Sequence, residues 1–406
     1  MLQMNEMSVL ASAAESESSS SELVALAAAL VPLLRARASE TERQRRMVAD
    51  VRAARHESGL FRIMQPRWAG GLEAGHPVLV DVASTLARGC PSTAWIYANM
   101  AIHAAMLAYF EPAAQRDIWA PSVDTLVCMS VIWRDGKARR VPGGYRLSGN
   151  WPFCSGISNS EWHMVAAMVE PDATMDRPEA RLFLLPAGDY AVHDNWHVMG
   201  LAGSDSRDVA CADVFVPEYR TLADAATQGR EAPGNAINPG AVYRIPMQAA
   251  APPTMASVGL GAAQGILELF VEEARGRTAR YTGRGMAGLQ SIQIAVAEAS
   301  ARLDVVRLIM RGSGEEALAI AAAGGVPDLE TRLRWRRNAA FGTSLAREAV
   351  DILHRRTGGG GLYESKPLAR LWRDFHAVTA HIAFNLDAAG SLYGRHMLGL
   401  EVNLVP

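Results

Sequence analysis

Apolar residues recur at three- and four-residue spacing in ELVALAAALVPLLRARA and again in RMVADVRAARHESGL, the signature of amphipathic helices. Gly59 stops the second run. The stretch MQPRWAGGLEAG is broken by proline and glycine, and a long helical pattern then resumes through VDVASTLARGCPSTAWIYANMAIHAAMLAYF. After Pro121 the period changes. LVCMSVIW, GGYRLSGNWPF, WHMVAAMV, RLFLLPA and CADVFVP are short runs rich in β-branched and aromatic residues, with turn formers such as DGK, PGG and DNW between several of them. Residues 224–245 hold Gly, Pro and Asn and read as a loop. From about Met247 to Leu400 the helical period returns, interrupted by GSG, AAAGGVPD and TGGGGLYES. The pattern predicts an α+β, mostly α chain in four parts. Residues 1–21, polar and serine-rich, are expected to be mobile. Residues 22–120 form an N-terminal helical domain, 121–223 a central β domain and 224–406 a C-terminal helical bundle.

Length and composition fit this picture. A chain of 406 residues is too long for one small core. Its formal net charge of −2 leaves no basic footprint for nucleic acid. The apolar run from Leu23 is short, contains a proline and ends in Arg35 and Arg37, so no membrane span is expected, and the acidic, serine-rich lead does not resemble a secretory signal. A cytoplasmic protein is expected. Cys90, Cys128, Cys154 and Cys211 form no CxxC pair and no metal-ligand spacing, so they read as ordinary buried thiols.

Several segments carry groups suited to chemistry, each beside a blander reading. GGYRLSGNWPFCSGISNSEW sets Ser155 between Trp151, Phe153 and Trp162; this is either a hairpin with a polar loop or a seat for a planar heteroaromatic ligand. In WHVMGLAGSDSRDV, Ser204 and Ser206 offer hydroxyls and Arg207 a charge for phosphate, or the loop is simply serine-rich surface. Four glycines follow Arg355 and Arg356 in HRRTGGGGLYES, without Rossmann or P-loop spacing. His103 on an apolar helix and Ser130 on an apolar strand read by default as core residues. In RDFHAVTAHIAFNLD, His376 and His381 share one short segment.

The order of these pieces resembles the acyl-CoA dehydrogenase fold: helices, a β domain with GNWPFCSG, the GLAGSDSRDV loop, then helices with TGGGGLYE and RDFHA. It is most similar to that fold's monooxygenase branch, the oxygenase components of two-component flavin-dependent hydroxylases. The resemblance implies a barrel-like central domain, a four-helix C-terminal bundle and a homotetramer. Many dehydrogenases of this fold place a catalytic glutamate nine residues after the arginine of an Arg-Asp pair. Here that arginine looks like Arg373, the position is Ile382, and APPTMASVGLG offers no carboxylate as the alternative. Acyl-CoA oxidation would lack its general base.

For the hydroxylase branch, the resemblance implies that His103 and Ser130 meet the substrate, that Ser155 bonds the flavin near N5, and that His381, on the last long helix, faces flavin and substrate. It implies Trp151 and Phe153 along the isoalloxazine, and Arg277 with the Gly358–Gly361 run, Gly359 and Gly360 included, at flavin phosphates across a subunit interface. Ser204 and Arg207 would contribute, and Asn385, one turn beyond His381, would orient it. Reduced FMN or FAD from a separate NAD(P)H:flavin reductase would react with O₂ to a C4a-hydroperoxide. Either histidine would take a proton from an aromatic or polyketide-like substrate, in secondary metabolism such as antibiotic biosynthesis. The alternatives are N-hydroxylation of an amine or amino sugar, a flavin dehydrogenase with a relocated base, and a non-catalytic flavin-binding protein.

Overall fold

The computed structural model describes residues 2–172, 176–229, 231–279 and 283–402, the side chains of residues 2–19 excepted. The N-terminal part comprises α1 (Leu2–Gln44), α2 (Ala49–Glu57), α3 (His76–Ala87), α4 (Pro91–Leu107) and α5 (Pro112–Trp119). The expectation of mobility over residues 1–21 lies almost wholly outside the described side chains. Proline stands in the first turn of α3, α4 and α5, where its missing N–H removes no helical bond. All of α4 is buried. Its sequence is largely apolar and carries no charged residue, so it serves as a central post rather than a surface helix.

The β domain holds β1 (Val127–Ser130), β2 (Gly136–Val141), β3 (Gly144–Cys154), β4 (Trp162–Val169), β5 (Glu179–Pro186), β6 (Ala191–His193), β7 (Arg207–Pro217) and β8 (Thr221–Ala223). They pair in the order β6-β7-β3-β2-β4-β5-β8, with β1 parallel to β4. Tyr145 on β3 and Phe183 on β5 have two strands between them in that order, yet their rings meet edge to face at 5.4 Å. The sheet is therefore rolled around its core, as a barrel-like domain requires. Trp151 fills the same core: a Cβ on Gly136 or Gly149 would lie 2.7 or 2.6 Å from its indole.

The C-terminal helices are α6 (Met247–Gly276), α7 (Gln290–Ala322), α8 (Leu329–His354), α9 (Pro367–Thr379) and α10 (Leu386–Met397). Contrary to the sequence reading, α6 is long and apolar enough to cross a bilayer by composition, but 72% of its most apolar window is buried inside the protein. It is a core helix, packed between α3, α7, α8 and α9.

Two sequence motifs distant in the chain become partners. The Arg373 Nε–H donates to the Met199 carbonyl at 3.0 Å, and the Leu201 N–H donates to Asp374 Oδ1 at 2.7 Å. Arg373 also pairs with Glu42 at the end of α1. Gly200 is pressed so closely against α9 that a Cβ there would lie 2.3 Å from the Arg373 carbonyl oxygen. Gly200→Ala is expected to destabilise the protein by about 1–3 kcal/mol through displacement of this loop. Gly188→Ala, where a Cβ meets nothing within 4 Å, serves as the comparison in thermal unfolding.

Candidate active site

Trp95, Asn99 and His103 recur every fourth residue along α4 and so share one face of it. His103 is 2% exposed, and its Nδ1 lies 2.9 Å from the Val127 carbonyl on β1. A carbonyl only accepts, so Nδ1 carries the proton and Nε2 keeps its lone pair. Burial pushes the ring's pKa down to about 4, which keeps it neutral at pH 7. Three residues along β1 from Val127, Ser130 donates to the Pro152 carbonyl at 3.2 Å. Cys128, between them, donates its Sγ–H to the Ser155 carbonyl at 3.3 Å.

Ser155 sits in a tight turn after β3. Phe153 and Gly156 both have left-handed backbones, at φ 61° and 77°. A Cβ on Gly156 would lie 2.6 Å from Met100 Cε on α4, so the turn seats directly on the central helix. The Trp95 Nε1–H donates to Ser155 Oγ at 3.0 Å. Ser155 Oγ lies 2.8 Å from Ser206 Oγ, which lies 2.7 Å from Ser204 Oγ. Phe153 turns its ring outward, 62% exposed, edge-on to Trp196.

His381 closes the group, its ring centroid 5.6 Å from that of Trp95. It is not on the long helix where it was expected. The helix α9 ends at Thr379, and His381 caps a short turn, Ile382–Phe384, by accepting the Ala383 N–H at Nδ1 over 3.2 Å. A backbone N–H only donates, so Nδ1 is unprotonated and the neutral ring carries its hydrogen on Nε2. Burial lowers this pKa too. The two histidines are therefore opposite tautomers, His103 an acceptor at Nε2 and His381 a donor at Nε2.

Other expectations are corrected. Asn385 does not orient His381: its Oδ1 accepts the Ala388 N–H at 2.9 Å as the N-cap of α10. Trp151 cannot line a ligand. It is 0% exposed, and its Nε1–H is committed to the Ala166 carbonyl at 2.7 Å. Ser204 is fully buried, and its hydroxyl reaches the site through Ser206. Arg207 is not free for phosphate, with Nε 2.9 Å from Asp205 Oδ1 and 3.7 Å from Asp194. His376 lies apart, its ring 4.3 Å from Trp372. Three of the cysteines are buried as expected, and Cys211 is half-buried.

Arg277 and the glycine run do meet. Its Nη1–H donates to the Thr357 carbonyl at 2.5 Å, and a Cβ on Gly358 would lie 3.4 Å from Nη2. Phe270, Glu273, Met286 and Arg356 join them around a cleft. Gly359 is open on its side-chain face and Gly360 nearly so. Trp95 and Asp374 escaped the sequence reading. The four-residue spacing of Trp95, Asn99 and His103 carried a signal; the Arg-Asp pair marked Asp374 as a landmark but not its burial or its bond to Leu201.

With the geometry in hand, comparison with known proteins is informative. Residues 24–125 match the family model for the acyl-CoA dehydrogenase N-terminal domain and residues 254–386 that for the C-terminal domain. The chain belongs to the acyl-CoA dehydrogenase family. It is 38% identical, over 93% of its length and 94% of the relative's, to the oxygenase component of an FADH(2)-dependent resorcinol hydroxylase from Rhizobium sp. (strain MTP-10005). The crystal structure of 3-HSA hydroxylase from Rhodococcus sp. RHA1 superposes with a TM-score of 0.89 at 33% identity, covering 94% of this chain and 98% of that one. XiaF from Streptomyces sp., in complex with FADH2 and glycerol, also gives 0.89, at 28% identity and covering 97% and 98%. Within the family the chain is thus a flavin-dependent monooxygenase oxygenase component.

The Asp374 carboxyl beneath the loop is pushed up to about 7, chiefly by burial and secondarily by Glu42, against the Leu201 N–H and the nearby arginines. A carboxyl raised in the folded state contributes stability that is present below its unfolded pKa and lost as pH rises through the folded one. The window here runs from about 4 to about 7. Asp374→Asn keeps an acceptor for Leu201 and cannot ionise. Its stability is expected to gain on the wild type by roughly 4 kcal/mol across that window, measured by denaturant unfolding at several pH values.

Proposed function

We propose that the chain hydroxylates a phenolic ring, using O₂ and reduced FMN or FAD delivered by a separate NAD(P)H:flavin reductase in the cytoplasm. The observation that carries this reading is the pair of opposite histidine tautomers on either side of the Trp95–Ser155 contact. The residues suit a flavin: Phe153 offers a flat exposed wall, Ser155 a hydroxyl beside it, and Arg277 with the glycines a cationic cradle. Bound reduced flavin supplies the electrons that activate oxygen.

The chain's own groups divide the remaining work. His103 Nε2 accepts a hydrogen bond from a phenol O–H and makes the ring more electron-rich. Against a phenol of pKa ~10, a base at about 4 would lose roughly 8 kcal/mol in complete proton transfer. His103 therefore shares the proton rather than removing it. His381 presents an N–H, suited to an oxygen atom on which negative charge develops, and its burial strengthens that donation. Ser130 borders the substrate end. Neither Ile382 nor the 250–260 stretch supplies a carboxylate, which speaks against acyl-CoA oxidation. The resorcinol hydroxylase among the relatives favours a phenol over an amine.

We also propose a homotetramer. No hydrogen bond, ion pair or ring contact joins the Arg277 cleft to Ser155 or His381 among the described residues, and a neighbouring subunit would bring such a cleft to the flavin phosphates. Exposed Leu308, Phe341 and Met397 on α7, α8 and α10 supply apolar surface for that assembly.

The test supplies chemically reduced FAD or FMN, resorcinol-type phenols and oxygen-18 gas. One labelled oxygen per product is expected. His381→Ala is expected to lower turnover by about 10²–10³-fold while reduced flavin still binds. If no phenol takes up label and the flavin reoxidises as it does free in solution, the proposal fails.

A further inference from the structure

Trp95 Nε1, Ser155 Oγ, Ser206 Oγ and Ser204 Oγ form an unbranched line with separations of 3.0, 2.8 and 2.7 Å. Distances leave the direction of the two hydroxyl–hydroxyl bonds open, but the number of hydrogens and lone pairs closes it. Ser204 is fully buried, and Ser206 Oγ is the partner of its hydroxyl among the described residues. Its hydrogen goes to Ser206, since any other direction leaves a buried O–H unpaired. The Ser206 hydrogen then passes to Ser155. Ser155 also receives the Trp95 indole N–H, which can only donate. Both lone pairs of Ser155 Oγ are thereby filled, and its own hydrogen is the one valence left for a ligand.

We infer that Ser204, Ser206 and Trp95 are positioning residues that present Ser155 to its ligand as a hydrogen-bond donor, so that the atom seated there is an acceptor. The consequence for cofactor choice rests on the flavin reading above. The central ring nitrogen N5 is an acceptor in oxidised flavin and carries a hydrogen in reduced flavin. Receiving that N–H requires the line to reverse, Ser155 to Ser206 to Ser204, and strands the Ser204 hydrogen in the protein interior. The line thus weighs on the relative affinity for the two forms. Ser206 is its control point: without that hydroxyl, Ser155 regains a lone pair and accepts an N–H with no reversal. Losing the Ser204 hydroxyl changes little, because the Ser206 hydrogen still has Ser155 as its acceptor.

The experiment measures binding of oxidised FAD and FMN, and of the reduced forms without oxygen, to the full-length protein and three variants. In Ser206→Ala and Trp95→Phe, affinity for reduced relative to oxidised flavin is expected to rise by about 3–10-fold, the worth of one hydrogen bond. Ser204→Ala is expected to keep the wild-type ratio. Both affinities are read on the same variant, so a general loss of folded protein cancels in the ratio. An unchanged ratio in Ser206→Ala, or an equal shift in Ser204→Ala, overturns the assigned direction of the line. Failure of the wild type to bind either form would refute the flavin reading instead.

Discussion

The Leu201 N–H on the buried carboxyl of Asp374, beside the Arg373 bond to the Met199 carbonyl, fixes the loop from which Ser204 and Ser206 arise. That loop in turn holds the Ser155 turn, since the Gly156 N–H donates to the Ser204 carbonyl at 2.8 Å. Gly203 completes the fit from the other side, where a Cβ would lie 2.3 Å from Thr41 Cγ2 of α1. First domain, β domain and bundle therefore converge on about eight residues of backbone. A protein interior so closely packed transmits small displacements, so the position of Ser155 depends on an aspartate that touches nothing at the site.

Much of the architecture was legible because it rests on periodicity. The switch from helical spacing to short β-branched runs after Pro121, and back near Met247, matches the observed elements, whose strands run from Val127 to Ala223. The family motifs located Ser155, His103 and His381 in one neighbourhood. What they could not show was direction. Trp151 and Phe153 are two residues apart on a strand that bulges between Trp151 and Cys154, so strand alternation no longer says which ring points inward. Trp151 went into a socket cut by Gly136 and Gly149, one of them across the sheet on β2. Arg207 looked like a phosphate ligand because Asp205, its partner, was read only as a loop residue.

The histidines show the same limit in chemical form. A sequence supplies an imidazole; which nitrogen holds the hydrogen depends on the backbone that meets it. The Val127 carbonyl and the Ala383 amide impose opposite answers on His103 and His381. The Ala383 amide is free to meet His381 because α9 ends at Thr379; inside a helix that N–H would bond the carbonyl four residues back.

The pairing of Glu42 with Arg373 also has a meaning in time. The two residues are 331 positions apart. At ~5–20 residues added per second, on the order of 20–60 s separate their emergence during synthesis. Once synthesis has passed Ala223 the N-terminal helical and β portions are complete in sequence, yet the loop bearing Ser204 and Ser206 lacks its clamp until Arg373 and Asp374 are made. A nascent chain therefore carries every hydroxyl of the site before it can arrange any of them. The ability to seat a reactive cofactor arrives only with the last helices, after the rest of the molecule has been made.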